Sequence, residues 1–160
     1  MDKSSSVVEE IRVVYKPTKI GNKPIVTSID AYEILRYYFD PNTIALQESF
    51  VVIFLNNQNF IKGIHRLFVG GIASTIVDIR LIFSIALKSA STSIVISHNH
   101  PSGILKPSQQ DLALTKRIRE GCQIFEIKLV DHLILSPYSN YYSMADGGDL
   151  FDISSNKSDN

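Results

Sequence analysis

Two histidines, His98 and His100, stand two residues apart, and ten residues separate the second from Asp111. In extended backbone, residues i and i+2 point to the same side. His98 and His100 can therefore aim two imidazoles at one point while Asn99 faces away. The connection to Asp111 carries Pro101 and Pro107, which stiffen it, and Gly103, which permits a tight bend. Asp111 falls in the first turn of a helix expected to begin at Ser108, from where it can be brought back to the same point. Two imidazoles and one carboxylate suit Zn²⁺, one ion per chain, with a fourth position left open as in catalytic zinc sites. Such an ion would bring the pKa of its water to ~7 and polarise a carbonyl.

A plainer reading stands beside this one. Ser108-x-x-Asp111 is also a common helix opening, with Ser108 as N-cap and Asp111 as a favourable first-turn acid. A bare His-x-His pair is a weak signal, and both residues can be ordinary loop histidines. The two roles of Ser108 are compatible. Its oxygen can accept from a backbone N–H while its proton points at a developing oxyanion.

The elements that must position these groups follow from pattern. Val7 to Tyr15 alternates as a strand. Thr27-x-x-Asp30 opens a helix that carries a helical pattern from Ala31 to Phe39 and stops at Asp40-Pro41. Glu48 to Leu55 and Phe60 to Val69 read as a hairpin closed by Asn56 to Asn59, with Gly70-Gly71 ending the second strand. Phe50 to Leu55 is apolar on both faces, which predicts a buried central strand. A helix is expected from Asp78 to Ser89, a short buried strand from Thr92 to Ser97, and a loop from His98 to Pro107. Ser108 then opens a helix that Gly121 should stop near Glu120, with Leu114, Ile118 and Cys122 on one line. Gln123 to Val130, Leu133 to Ser136 and Tyr141 to Met144 read as further strands. This alternation predicts an α/β fold with a mixed central sheet flanked by helices.

The chain has 160 residues, 44% of them hydrophobic and 20% charged, enough for one domain with a sizeable core. Residues 1–6 and 154–160 are small and polar and are expected to be disordered, leaving a single domain over 7–153. Sixteen basic and sixteen acidic residues cancel, so net charge does not support a broad grip on nucleic acid or an anionic membrane. A single cysteine, Cys122, fits a reducing compartment. No apolar run approaches the ~20 residues needed to span a bilayer, and the N-terminus reads as no secretory signal. A soluble cytoplasmic protein is expected.

His98-x-His100-Pro101, then Ser108 and Asp111, resembles the JAMM signature of the JAB/MPN metalloproteases. The longer string His98-Asn99-His100-Pro101-Ser102-Gly103, with Pro107-Ser108 downstream, resembles the RadC branch in particular, as do Asp131-His132 and Asp78. The resemblance covers roughly Glu48 to Leu150. It implies the JAB/MPN, cytidine-deaminase-like architecture. It also implies that His98, His100 and Asp111 are zinc ligands and that Ser108 stabilises an oxyanion. The general base it requires upstream matches Glu48, with Glu33 as the weaker competitor and a surface strand-end carboxylate as the plain alternative. RadC proteins often carry an N-terminal helix-hairpin-helix region. This chain shows no such signal, and it resembles the short form.

Other residues read more simply. His132 can orient a ligand imidazole or be a strand histidine satisfied by backbone. His65 should lie at the surface and Cys122 in the core. Lys116, Arg117 and Arg119 form a modest basic cluster on a solvated helix face. Tyr138, Tyr141 and Tyr142 suit edge-strand packing better than base stacking. A zinc deaminase is excluded, because one cysteine cannot supply the Pro-Cys-x-x-Cys ligand pair.

The resulting expectation is a zinc-dependent hydrolase cleaving a peptide or isopeptide bond, with a peptide or protein substrate and an activating protein partner as candidate associates. Glu48 would take a proton from the attacking water and hand it to the leaving amine, and Ser108 would stabilise the oxyanion. The alternative is a DNA-repair accessory whose metal site is structural or vestigial. Steeply salt-dependent DNA binding would favour that alternative.

Overall fold

The computed structural model describes residues 23–69 and 77–152. The expected Val7 to Tyr15 strand, the Gly70-Gly71 stop and both tails lie outside these residues. Helix α1 spans Ser28–Tyr38, strands β1 and β2 span Ser49–Leu55 and Ile61–Val69, helix α2 spans Ile79–Lys88, and strand β3 spans Ser93–Asn99. Helix α3 (Gln109–Ile124), strands β4 (Lys128–Ser136) and β5 (Asn140–Ser143), and the short helices α4 (Met144–Gly147) and α5 (Asp149–Asp152) complete the described chain. The five strands lie in the order β2-β1-β3-β4-β5. Among the described strands only β3 and β4 run parallel, and the other neighbours are antiparallel. The fold is α/β with a mixed sheet between helices, as expected of a JAB/MPN-like chain.

The sheet sorts its side chains by parity. Phe50, Val52 and Phe54 of β1 join Ile94, Ile96 and Ile134 on one face, beneath Ile82, Phe83 and Ala86 of α2 and Ile118 and Cys122 of α3. Val51, Ile53 and Leu55 join Val95, Leu133 and Leu135 on the other, beneath Ala31, Tyr32 and Leu35 of α1. Every residue of β1 and β3 is buried, which accounts for their apolar reading on both faces. Each fully buried Leu, Ile or Phe side chain contributes roughly 1.5–3 kcal/mol, so these two layers dominate stability.

The helix starts follow the sequence. Thr27 and Asp30 close a capping box on α1, Asp78 caps α2, and Ser108 and Asp111 close a capping box on α3. Three boundaries differ from expectation by more than one residue. Strand β3 does not end at Ser97, because His98 and Asn99 pair with Ile134 and Leu135 of β4. Gly121 does not stop α3, which continues to Ile124 with Phe125 as C-cap. A Cβ at Gly121 would sit 2.5 Å from two ring carbons of Phe83, so this glycine lets α2 and α3 approach closely. Gln123 and Ile124 therefore belong to helix rather than strand, and Glu126 makes the exit in the left-handed region at φ 55°. The two strands expected on either side of Asp131-His132 are one, β4.

Candidate metal centre

The site forms where β3 leaves the sheet. Beyond Asn99 the backbone stays on β4, since the His100 N–H donates to the Leu135 carbonyl at 2.9 Å. That extension keeps His98 and His100 in strand phase and puts both rings on the face covered by α3. The chain then turns, with the Gly103 N–H donating to the His100 carbonyl at 2.9 Å and Gly103 at φ 79°. A Cβ there would meet the Tyr138 ring at 2.5 Å, so both conformation and space require glycine. The capping box of α3 fixes the third group. Asp111 Oδ2 accepts from the Ser108 N–H at 2.7 Å and the Ser108 hydroxyl at 2.6 Å, while Ser108 Oγ accepts from the Asp111 N–H at 3.1 Å.

The three side chains meet. His98 Nε2 and His100 Nε2 are 2.9 Å apart. Asp111 places Oδ1 3.2 Å from His98 Nε2 and Oδ2 3.4 Å from His100 Nε2. Among the described residues this is the one cluster of histidine, cysteine and acidic groups with metal-ligand spacing. A tetrahedral ion with bonds of ~2.0–2.1 Å has ligand–ligand edges of about 3.3 Å, so the triangle has the size that zinc requires.

Its chemistry fits as well. His100 Nδ1 lies 2.5 Å from the Ile104 carbonyl. A carbonyl only accepts, so Nδ1 carries a proton and the Nε2 of a neutral ring presents a lone pair. That lone pair faces the second imidazole and a carboxylate, an arrangement that calls for a cation at its centre. The bond with Asp111 raises the His100 pKa above the ordinary histidine value, against the opposing effect of burial, and the charge of Glu48 adds to it. Burial opposes ionisation of Asp111, but its bonds with His100, His98 and Ser108 outweigh this and hold the carboxyl well below the usual range.

The site opens into a cleft of about 560 Å³ lined by Leu46, Glu48, His100, Ile104, Ser108 and Asp111, among others. Glu48 lies on its wall, one residue before β1. Glu33 lies on α1, exposed, and does not line the cleft. Leu46 and Ile104 stand 68% and 63% exposed, giving the cleft apolar walls. Ser108 is exposed at the rim and gives its hydroxyl proton to Asp111.

Three supporting residues surround the cluster. His132 is fully buried, its Nε2 2.8 Å from His98 Nδ1, and burial pushes its pKa well below the ordinary value. Asn99, read from the sequence only as facing away, is fully buried and ties the segment before β1 to β3. Asp131 accepts from the Ser143 hydroxyl at 2.6 Å and from the His132 and Ala145 N–H groups at 2.7 and 3.0 Å. It joins β4 to the start of α4 and does not enter the cleft. His65 is exposed, and Cys122 is buried in the core.

A family model described as "RadC-like JAB domain" matches residues 25–149. A "UPF0758 protein" of Flavobacterium johnsoniae is 42% identical over 126 residues, 79% of this chain and 53% of that one. Proteins of the same name from Streptococcus sanguinis and Staphylococcus carnosus are each 42% identical, over 65% and 63% of this chain and 45% and 44% of theirs. The chain spans about half the length of these curated relatives, and their name states no activity. Among the described residues no helix is long and apolar enough to cross a membrane.

Proposed function

We propose, from the premise that this chain belongs to the RadC-like JAB domain family, that it is a zinc-dependent hydrolase of peptide or isopeptide bonds. One observation carries the reading. The Nε2 atoms of His98 and His100 and the carboxylate of Asp111 face one point across edges of 2.9–3.4 Å. These three residues would hold the ion, which supplies Lewis-acid polarisation of the scissile carbonyl and an acidified water.

The chain's own groups account for the remaining work. Glu48, on the cleft wall, takes a proton from the attacking water and passes it to the leaving amine. The Ser108 hydroxyl, at the rim, turns from Asp111 to the oxyanion as charge develops there. Asp111 keeps its N-cap bond from the Ser108 backbone throughout. Leu46 and Ile104 offer apolar contact to residues flanking the scissile bond, which favours a polypeptide over a small polar substrate.

The test is metal content followed by cleavage. Protein prepared without chelator should carry about one zinc per chain by elemental mass spectrometry. Glu48→Gln should keep that zinc and lose cleavage of peptide and isopeptide libraries. Wild type that cannot be loaded with zinc would overturn the reading.

A further inference from the structure

The hydrogen bonds behind His98 form a closed circuit. Thr115 sits one helical turn after Asp111 on α3, and its hydroxyl lies 2.6 Å from the Asp111 carbonyl. The same oxygen lies 2.6 Å from His132 Nδ1, and His132 Nε2 lies 2.8 Å from His98 Nδ1. Thr115 and His132 are 0% exposed and His98 is 5% exposed, so water does not substitute for any of these partners.

Proton accounting gives the circuit a direction. A threonine hydroxyl has one proton, and a carbonyl can only accept. Thr115 therefore donates to Asp111, and its oxygen must receive the proton on His132 Nδ1. Its other near neighbour, Met144 Sδ at 3.7 Å, is also only an acceptor, so the conclusion is unchanged. Among the described residues no carboxylate touches the buried His132 ring to hold a second proton on it, so with Nδ1 protonated its Nε2 presents a lone pair. That lone pair must accept from His98 Nδ1. His98 Nδ1 thus carries a proton, and Nε2, facing His100 and Asp111, is the ring atom left to bind an ion.

We propose that Thr115 and His132 are positioning residues that set the tautomer of His98 and aim its Nε2 at the metal centre. The circuit starts at the peptide carbonyl of the residue whose carboxylate supplies the third ligand. It therefore ties the ligand from β3 to the ligand from α3 through the protein interior. Phe50 closes the remaining side, stacked on His98 at 6.5 Å and edge-on to His132 at 6.0 Å between ring centres. The role in metal binding rests on the zinc reading above, whereas the tautomer assignment does not.

The test uses Thr115→Val, which keeps the shape and removes the hydroxyl, and Thr115→Ser, which restores it. Ile118→Val, a fully buried change on the same helix, controls for simple destabilisation. Zinc affinity is read by chelator competition, and imidazole ¹⁵N shifts are read in metal-free protein. Thr115→Val should weaken zinc about 10–100-fold, with Thr115→Ser and Ile118→Val within about threefold of wild type. In metal-free wild type, the ¹⁵N shifts should place the protons of both His98 and His132 on Nδ1. In Thr115→Val they should move toward a tautomer mixture. Unchanged shifts in Thr115→Val, or folded Thr115→Val with wild-type zinc affinity, would overturn the proposal. Wild type that binds no zinc would overturn the metal reading alone, and the ¹⁵N shifts would still decide the tautomer.

Discussion

Asn99 and Ser49 are joined by a buried hydrogen bond of 2.7 Å, the Ser49 N–H donating to Asn99 Oδ1. The other end of the same amide donates to the Ile44 and Gln47 carbonyls at 2.7 and 2.9 Å. The residue between the two clustered histidines thus grips the chain on both sides of Glu48. Strand alternation does this: while His98 and His100 turn toward Asp111, Asn99 reaches through the opposite side of β3 and holds the neighbouring segment in place.

Asn99→Asp keeps the acceptor and turns the two donors into an oxygen facing two carbonyls. It should lower stability by about 2–3 kcal/mol in urea unfolding. At temperatures where the variant is folded, zinc content should stay at the wild-type level and turnover should fall at least about tenfold, since Glu48 loses its position. Unchanged turnover would show that the amide does not position Glu48.

Asp111 and Ser108 share a cap but should separate by metal affinity. Ser108→Ala removes the N-cap hydroxyl at a cost of about 1 kcal/mol and should leave zinc bound. Asp111→Asn keeps a side chain able to accept from the Ser108 N–H but removes the charge, and should lower zinc affinity at least about a hundredfold. Equal zinc loss in the two variants would assign Asp111 to the cap alone.

Burial pushes the Cys122 thiol up to about 12. The reactive thiolate grows tenfold per pH unit below that value, and at pH 8 roughly one thiol in ten thousand is ionised. Native protein should therefore show no reaction with an aromatic disulfide reagent at pH 8 over minutes, and one equivalent per chain in denaturant. Rapid native labelling would contradict the core placement.

Gly121→Ala sets two effects against each other. Alanine gains about 1 kcal/mol of helix propensity, while its methyl meets the Phe83 ring, which is buried and packed at 5.1 Å on Phe125. Overpacking of this kind costs about 1–3 kcal/mol, so the net change should be destabilising by about 1 kcal/mol. Adding Phe83→Leu should recover part of it. Thermal melts of the single and double variants decide the sign.

The parts of the fold set by local chemistry were legible in the sequence. Thr27 with Asp30, Asp78, and Ser108 with Asp111 announced three helix starts, because a cap needs only residues within one turn. The apolar runs of β1 and β3 announced central strands, while the spacing of His98, His100 and Asp111 left a cap and loop histidines equally open until the family resemblance favoured a cluster. What distant chain decides was not legible. His98 and Asn99 lie in β3 because β4 pairs with them, and no residue near Ser97 encodes that partner. Gly121 resembled a helix stop, yet it is a contact point for a ring 38 positions earlier. His132 carried a hint of its role from its neighbour Asp131, but Thr115 carried none. A threonine inside a helix is an unremarkable letter until the strand beneath it presents a buried imidazole.

The small, nitrogen-rich triangle described for His98, His100 and Asp111 also governs which ions can compete for it. Calcium takes 6–8 oxygen ligands at 2.3–2.6 Å, and magnesium demands an octahedron of oxygens. Edges of 2.9–3.4 Å with two imidazoles suit neither. Because Ser108 already holds Asp111, the carboxylate has little freedom to swing outward for a larger ion. Against copper the same ligands offer no such discrimination, since imidazole binds Cu²⁺ more tightly than Zn²⁺ in the general order of divalent affinities. The choice between those two would fall to the supply of each metal around the folded chain.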